Sequence, residues 1–294
     1  MSEKYEIEKL NSIRIKCVVS SIIVIIGIGL VILGQMMEQS EREQSCFLLI
    51  MVIAIILIIL GVKFNTKYNK EFKKIYKEIF VEGTLKENFN NVYYDPTRGF
   101  SEMAVRGFDL NMMGNRFRSE DYIRASFKGI NFETSDVYIA QHTSSGKSSH
   151  TTVYFEGRMI ILDFPEKYVN SVRVYSKAFA YRQGRLSGLV SNKVAMESVD
   201  FNKIFDVLTL NDHDAFYLLT PQLMERFQVL QRRYGSIAFH IRGNKLIIAF
   251  NEVNNNAFDP KSMWSKIEYE AEKRKVQADI GDIKQILYIL GLVA

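Results

Sequence analysis

A Gly-Lys-Ser triplet at residues 146–148 matches the end of a phosphate-binding loop, whose full pattern is GxxxxGK[ST]. In such a loop the glycines let backbone N–H groups curl around the phosphates, and a helix must follow. Here Gln141 occupies the first glycine position, and the residues after the loop, TTVYFEG, are β-branched and aromatic. They predict a strand. We therefore expect a hairpin tip at 141–149 that binds neither nucleotide nor another cofactor.

Two histidines, His142 and His150, flank this loop and could face each other across the hairpin. A metal ion requires three or four ligands with second-shell support. No Asp, Glu or Cys stands among residues 137–155. We therefore expect no metal site here and interpret both residues as surface histidines.

A polar cluster at residues 211–214, Asn-Asp-His-Asp, combines carboxylates with an imidazole, the groups that general acid–base chemistry uses. Asp212, His213 and Asp214, together with Asp163, are the candidate catalytic groups of an enzyme acting on a membrane-derived or phosphorylated substrate. The same tetrapeptide fits a turn, because Asn and Asp side chains hydrogen-bond to the nearby backbone. The chain has no GxSxG nucleophile elbow, and both interpretations of the cluster stay open.

Arginine side chains suit phosphate because the guanidinium group donates paired hydrogen bonds. Five arginines in strand-like segments could converge on an anionic ligand: Arg116, Arg118, Arg124, Arg158 and Arg173. The alternative is that they lie on the solvent faces of strands. His240 also falls in an alternating segment, which predicts a core or surface residue rather than a catalyst.

From Tyr93 onward the sequence alternates between apolar and polar residues, as β-strands do. Within residues 122–142 the pair Lys128-Gly129 predicts a tight turn between two strands. Three further segments are strand-like, namely 151–164, 171–177 and 205–208, and residues 178–198 are predicted to form a long connection.

One helix is well marked, in TPQLMERFQVLQRRYG. Thr220 is the candidate N-cap, Pro221 occupies the first helical position and Gly235 ends the helix. A hairpin with its turn at Gly243-Asn244 is predicted to follow.

A helical region is predicted to begin at Asp259-Pro260 and to run to Leu290. Hairpins dominate the sequence and no strand–helix–strand series repeats. We therefore predict an α+β domain with a mainly antiparallel sheet and packed helices.

Two charge-free apolar runs precede this domain, Cys17–Met37 with 21 residues and Cys46–Val62 with 17. Each is long enough to cross a hydrocarbon layer roughly 30 Å thick as a helix. Eight residues separate them, so we predict an antiparallel transmembrane hairpin. A cleaved signal peptide is the alternative for the first run, but that run lacks a small-residue cleavage site.

Basic residues flank the predicted hairpin on one side. Residues 1–16 carry four, the connecting loop carries only Arg42, and six lysines follow the second run: Lys63, Lys67, Lys70, Lys73, Lys74 and Lys77. The positive-inside rule then predicts a cell-membrane protein with two spans and both termini cytoplasmic. The six lysines are candidate contacts for anionic lipid; alternatively they only set the topology.

This lysine stripe also argues against nucleic-acid binding. Its six lysines and Glu71 carry +5, which equals the formal net charge of the whole chain. The rest of the chain is therefore balanced, whereas a nucleic-acid-binding domain concentrates positive charge on its folded surface. We expect the membrane bilayer as a partner, and no nucleic acid.

Several stretches resemble the bacterial domain of unknown function 3137: EDYIRASFKGINFETSDV, VYFEGRMIILDFPEKY, FYLLTPQLMERFQVLQRRYG and IAFHIRGNKLIIAF. The likeness covers roughly residues 65–290, with departures at Ala125 and at 165–167. It implies an N-terminal membrane hairpin and a lysine-rich helix. The family has no assigned activity and no catalytic residues to transfer. A LemA-type membrane protein is the partner that the resemblance suggests.

The sequence thus predicts three regions: an N-terminal tail with the transmembrane hairpin at 1–62, a basic juxtamembrane helix at 63–92 and a cytoplasmic α+β domain at 93–294. The leading hypothesis is a non-enzymatic binding or scaffold domain tethered to the inner membrane. An enzyme and an anionic-lipid sensor are the two alternatives.

Overall fold

A computed structural model describes residues 3–36, 44–146, 148–164, 169–182, 192–251, 258–260 and 262–293. The chain forms two compact units. The first, here called the hairpin unit, comprises Met1–Gly83 and Phe258–Val276; the second, called the sheet unit, comprises Thr84–Ala257 and Gln277–Ala294. The predicted regions 1–62, 63–92 and 93–294 are a linear division and remain a prediction.

Two long helices dominate the hairpin unit, α1 at Glu3–Met36 and α2 at Gln44–Tyr76. The predicted connection is residues 38–45; residues 37–43 lie outside the described part, and Gln44 and Ser45 already belong to α2. Both helices are long and apolar enough to cross a membrane. Only 22% and 11% of their most apolar windows are buried, whereas a core helix of a soluble protein would be mostly buried.

Glycines let the two helices approach closely. A Cβ atom on Gly27 would lie 2.7 Å from Cγ1 of Ile58, and one on Gly61 would lie 2.7 Å from Cγ2 of Val24. These pairs run in opposite directions along the two helices, so α1 and α2 pack antiparallel. Small residues are typical of such contacts between membrane helices.

Helical structure continues beyond α2, as predicted for the juxtamembrane region, and extends to Asn88. A π-helical segment, Lys77–Glu82, is followed by α3 at Gly83–Asn88. A π-helical turn contains more residues than an α-helical one. The buried residues of this segment are Lys77, Phe80 and Val81.

The described residues of the sheet unit contain nine strands, each antiparallel to its neighbours, in the order β1-β2-β3-β4-β9-β8-β5-β7-β6. Their bounds are β1 Asn90–Asp95, β2 Arg116–Phe127, β3 Ile130–Ser145, β4 Ser148–Asp163, β5 Val169–Ser176, β6 Asn192–Val194, β7 Phe205–Thr209, β8 Ser236–Gly243 and β9 Lys245–Asn251. The predicted α+β fold with an antiparallel sheet is confirmed.

Both predicted hairpin turns are present. Lys128 and Gly129 have φ angles of 47° and 87°, which suit the two central positions of a type I′ turn. Gly243 has a φ of 60° where β8 turns into β9. At the Gly-Lys-Ser loop, Ser145 pairs with Ser148 across β3 and β4, so the predicted hairpin tip is confirmed. Lys147 lies outside the described residues.

The remaining helices are α4 Glu102–Phe108, α5 Lys177–Arg182, α6 Val199–Ile204, α7 Asp212–Leu218, α8 Pro221–Tyr234 and α9 Tyr269–Ile289. Helix α8 begins and ends as predicted, since the Thr220 side chain accepts from the Leu223 N–H and Gly235 has a φ of 71°. Helix α9 begins at Tyr269, so the prediction of a helix from Asp259-Pro260 is wrong at its start.

The sheet core lies on both sides of β8, whose residues Ser236–Ile241 are all buried. On one face Ala238 packs in a cluster with Phe108 of α4 and Phe179 of α5. On the other face Phe239 stacks on Phe227 of α8, with ring centroids 3.8 Å apart. A central strand buried on both faces explains why this segment is continuously apolar around His240.

Candidate functional site

The predicted lipid-contact lysines divide into two groups in the hairpin unit. Lys63, Lys67, Lys70, Lys73 and Lys74 are exposed on α2. Lys77 is only 4% exposed. Its side chain points into the hairpin unit, so the prediction of a lipid contact is not supported for Lys77. The physical reason is its ion pair with Asp259, whose carboxylate compensates the ammonium for the water lost on burial.

Asp259 forms ion pairs with two lysines at the end of the stripe, Lys73 and Lys77. Its Oδ2 lies 2.6 Å from Nζ of Lys73, and its Oδ1 lies 3.4 Å from Nζ of Lys77. Burial alone would raise the pKa of Asp259, but the hydrogen bond from Lys73 and the charge of Lys77 outweigh it and hold the pKa below its ordinary value of 3.8. The carboxylate therefore stays ionised and pairs with both ammonium groups.

Residues that follow Asp259 also contact α2, the π-helical segment and α1. Tyr76 donates from its hydroxyl to Glu272 at 2.6 Å, and the rings of Phe80 and Tyr269 lie 5.5 Å apart. Near the start of α1, the Asn11 side chain accepts from the Ile267 N–H at 3.4 Å. A segment distant in sequence is thus part of the hairpin unit, which helical periodicity could not predict because it carries no information on partners so far apart.

We predict that Asp259→Asn destabilises the hairpin unit by about 1–3 kcal/mol, because it leaves the buried Lys77 ammonium without its carboxylate. Trp264, the only tryptophan of the chain, lies in this unit. Its emission during thermal unfolding in detergent measures the effect. Glu78→Gln is the matched control, since Glu78 pairs with Lys74 at 3.7 Å on an exposed surface. Equal melting temperatures for the two variants would contradict the prediction.

The predicted catalytic cluster forms the first turn of α7. The Asn211 side chain accepts from the His213 N–H at 3.1 Å and caps the helix. Asp212 and His213 are exposed, and Asp214 accepts from the Asn170 N–H at 3.4 Å. The tetrapeptide therefore has the capping role that the turn interpretation implies.

Asp163 is not assembled with this cluster. It lies at the end of β4, where it accepts from Asn131 at 2.9 Å and pairs with Lys245. Strands β9, β8 and β5 separate β4 from β7, and four strand spacings amount to roughly 19 Å. Burial would raise the pKa of Asp163, but the bonds from Lys245 and Asn131 lower it. This carboxylate is an ion-pair partner at the end of a strand.

The five candidate arginines do not converge either. Arg116, Arg118 and Arg124 are exposed on β2, in agreement with the solvent-face alternative. That alternative is wrong for Arg158 and Arg173, which are 8% and 4% exposed. Each of these two buried guanidinium groups pairs with a carboxylate of the sheet unit, and a buried charge of this kind requires such a partner.

Arg158 makes the more complete of the two pairs. Its Nε lies 2.8 Å from Oδ1 of Asp136 and its Nη2 lies 3.2 Å from Oδ2, a bidentate geometry. Burial opposes the charge of Arg158, but the charge of Asp136 and its hydrogen bonds raise the pKa of the guanidinium. Arg173 donates to Asp109 at 2.7 Å. Neither arginine is left over for an anionic ligand.

His240 and Ser171 form a hydrogen-bonded pair that the sequence did not indicate. Nδ1 of His240 lies 2.7 Å from the carbonyl oxygen of Phe108, and Nε2 lies 2.9 Å from Oγ of Ser171. A carbonyl only accepts, so Nδ1 carries the proton and Nε2 accepts from the serine hydroxyl. This is the tautomer of a general base.

The imidazole of His240 is nevertheless enclosed, with 1% of the residue exposed. Burial lowers its pKa below 6.5, and the nearby Arg173 adds to the shift, although the Phe108 carbonyl opposes it. Both ring nitrogens are engaged, and the bond to Phe108 ties the last turn of α4 to β8. Of the two positions that the sequence left open, core and surface, His240 occupies the core.

We predict a pH dependence from His240. Because its folded pKa is lowered, the unfolded chain takes up the proton first, so stability is full above pH 6.5 and falls as the pH drops below that value. The loss is about 1.4 kcal/mol for each pH unit down to the folded pKa. His240→Gln should flatten this slope in urea unfolding of the detergent-solubilised chain, whereas His150→Gln, at an exposed residue of β4, should retain it. An unchanged slope in His240→Gln would refute this assignment.

Comparison with known proteins gives one match. A family model described as "Protein of unknown function (DUF3137)" matches residues 153–292. No curated protein and no solved structure matches the chain. The predicted resemblance is thus confirmed from β4 to the end of α9, and for the residues before 153 it remains a prediction.

Proposed function

We propose that this chain, which belongs to the DUF3137 family through residues 153–292, is anchored in a cell membrane by α1 and α2 with both termini in the cytoplasm. On that side the sheet unit acts as a non-enzymatic binding or scaffold domain. The family carries no known activity, so the proposal depends on the chain's own geometry.

One observation carries the anchoring, namely the apolar side chains that point outward from both helices. Those exposed by more than two fifths include Ile22, Ile25, Ile26, Ile28, Ile32 and Leu33 on α1 and Leu48, Leu49, Val52, Ile53, Ile55, Ile56, Ile59, Leu60 and Val62 on α2. So large an apolar surface is unfavourable in water and favourable in a bilayer. The exposed lysines directly after Val62 support the cytoplasmic orientation.

A surface on α7 supports a binding role. His213, Phe216 and Tyr217 are spaced i, i+3 and i+4, so they share one face of the helix. Phe216 is 49% exposed and Tyr217 is 50% exposed, and Leu210 just before the helix is 61% exposed. Aromatic side chains with a polar neighbour are enriched at protein–protein interfaces. We call this set the α7 face.

The arrangement of the other candidates favours binding over catalysis. Asp212 and His213 occupy an exposed, capped helix turn, and Asp163 is four strand spacings away. A phosphorylated substrate would need free cationic groups, but Arg158 and Arg173 are neutralised by carboxylates. These contacts give the enzyme hypothesis no assembled constellation to act through.

A second candidate function is contact with anionic lipid through the exposed lysines of α2: Lys63, Lys67, Lys70, Lys73 and Lys74. Each well-placed lysine contributes about 1 kcal/mol near an anionic surface. We expect phosphatidylglycerol vesicles, but not phosphatidylcholine vesicles, to protect these lysines from acetylation, and salt to remove the protection. Lys203, which is 70% exposed in the sheet unit, is the control. Protection that is indifferent to lipid charge and salt would exclude this function.

The binding role is tested by affinity capture from solubilised membranes. Phe216→Ala/Tyr217→Ala removes the α7 face without disturbing the core, since both side chains are exposed. Met103→Ala, at a residue that is 83% exposed on α4, is the matched control. We expect the wild type and Met103→Ala to recover the same membrane partner, for which a LemA-type protein is the candidate, and the double variant to lose it. Recovery that is equal for all three chains would contradict the binding role of this face.

A further inference from the structure

Residues 262–266, Ser-Met-Trp-Ser-Lys, lie against the first half of α1 and its midpoint, within the hairpin unit. Arg14 donates from Nη1 to the carbonyl oxygen of Met263 at 3.3 Å. The Met263 sulfur lies 3.9 Å from Oγ of Ser21. The next residue along the chain that contacts α1 is Ile267, through Asn11. The segment therefore follows α1 over about two to three turns.

These contacts fix the position of residues 262–266 along the helix axis, relative to the apolar run Cys17–Met37. Ser21 lies four residues beyond Cys17, the first residue of the run, which is roughly 6 Å along a helix axis. Asn65, which follows the second run on α2, donates to Oγ of Ser21 at 2.5 Å. Both helices thus change from apolar to polar at this level, and a bilayer crossed by them would have its headgroup boundary there.

Trp264 projects from this segment with 57% of its surface exposed. Its backbone N–H donates to the hydroxyl of Ser262 at 3.1 Å. An indole has a large apolar body and one N–H donor, and tryptophan is enriched where a bilayer meets water. Lys266 follows two residues later and is exposed, a charge that can remain among the headgroups.

The neighbouring surface is concave and mixed in polarity. A groove of about 650 Å³ is lined by apolar, amide, hydroxyl and charged side chains: Ile7, Glu8, Asn11, Ser12 and Ile15 of α1, and Lys266, Tyr269 and Glu270. Ile15 is 53% exposed. Apolar side chains beside amide, ammonium and carboxylate groups suit the boundary between acyl chains and headgroups better than bulk water.

We propose that residues 262–266 form an interfacial anchor, with the indole of Trp264 lying in the headgroup layer of the bilayer that α1 and α2 cross. The proposal rests on the membrane crossing proposed above and adds a third attachment from a distant part of the chain. The partner is the lipid surface itself. A protein covering Trp264 is the competing occupant, and the experiment below distinguishes the two.

The test uses the full chain, whose fluorescence from tryptophan comes from Trp264 alone because the chain has one tryptophan. The purified protein is reconstituted in vesicles of phosphatidylcholine and phosphatidylglycerol with no other protein present. A fraction of the lipid carries bromine either near the headgroup end or at the methyl end of the acyl chain. We expect lipid brominated near the headgroup end to quench most of the Trp264 emission, and lipid brominated at the methyl end to quench little of it. Trp264→Phe should abolish the emission.

Carbonate extraction of the same vesicles distinguishes a failure of the interfacial anchor from a failure of the membrane crossing. A chain that stays in the vesicles but is quenched at neither depth overturns the anchor and leaves the membrane crossing standing. Emission that is quenched only by bromine at the methyl end also overturns the anchor and leaves the membrane crossing standing, because the indole would then lie in the hydrocarbon. A chain that carbonate removes contradicts the crossing and the anchor together.

Discussion

Replacing Asp136 by alanine is expected to destabilise the sheet unit by up to about 3–5 kcal/mol, the cost typical of breaking a buried ion pair. Asp121 and Asp279 also act on Arg158 and keep part of its charge compensated. Arg158 is 8% exposed and Asp136 is 3% exposed. Their bidentate contact lies between β4 and β3, where Asp136 and Arg158 are paired positions of the ladder. A guanidinium left in this place cannot regain its hydration without opening the sheet. The measurement is the urea midpoint for proteolysis of the detergent-solubilised chain.

The control for this prediction is an exposed pair of the same chemistry. Asp200 lies 2.9 Å from Lys203, with side chains 81% and 70% exposed, and Asp200→Ala should barely move the midpoint. Asp136→Leu/Arg158→Met should cost clearly less than the two single changes added together, because the double change removes both members of the bidentate pair. Additive losses would show that the two side chains do not stabilise each other.

The second large effect is expected at Gly157. A Cβ atom there would lie 1.8 Å from the carbonyl oxygen of Phe250, in the ladder where Gly157 pairs with Asn251. Any side chain must push β4 and β9 apart at the centre of the sheet. We expect Gly157→Val to reach or exceed the upper end of the roughly 1–3 kcal/mol that overpacking costs. The same proteolysis midpoint measures the loss.

Gly107 of α4 provides the matched control, since a Cβ atom there would meet nothing within 4 Å. Gly107→Ala should leave the midpoint unchanged or raise it slightly, because alanine favours the helix. If Gly157→Val behaved like Gly107→Ala, the close pairing of β4 with β9 would be wrong.

Local signals predicted the local structure. The cap at Thr220, the proline after it and the positive φ of Gly235 each depend on a few neighbouring residues, so the sequence was sufficient for α8. The sequence was also sufficient for the turn at Lys128-Gly129. It was sufficient for the hairpin tip as well, because the strand predicted after Gly-Lys-Ser excluded a phosphate-binding loop. The resemblance to the DUF3137 family depended on these same blocks.

Long-range structure could not be predicted in this way. Strand β4 pairs with β9 although about 90 residues separate Gly157 from Asn251, and no local pattern encodes that choice. Arg158 and Arg173 were expected on solvent faces because arginine is seldom buried. Their partners, Asp136 and Asp109, become neighbours only in the assembled sheet.

The hairpin unit shows the same limit. Lys77 belongs by spacing to an exposed stripe, but it is buried and Asp259 supplies its counter-charge. Asp259 was expected to start a helix; instead it binds Lys73 and Lys77, and the following residues run along α1 before α9 begins at Tyr269. A contact set by residues so far apart in sequence has no signal within a helical window.

The central claim is that α1 and α2 cross a membrane with the lysine stripe and the sheet unit on its cytoplasmic side. Labelling of single cysteines tests it most directly. The two native cysteines, Cys17 and Cys46, are first replaced by serine. One new cysteine is then placed at Glu41, in the predicted connection between the runs, or at Asp200, which is 81% exposed. A membrane-impermeant maleimide should label Glu41→Cys in intact cells and Asp200→Cys only after permeabilisation. Labelling of Asp200→Cys in intact cells, with an interior marker protein left unlabelled, would contradict the account.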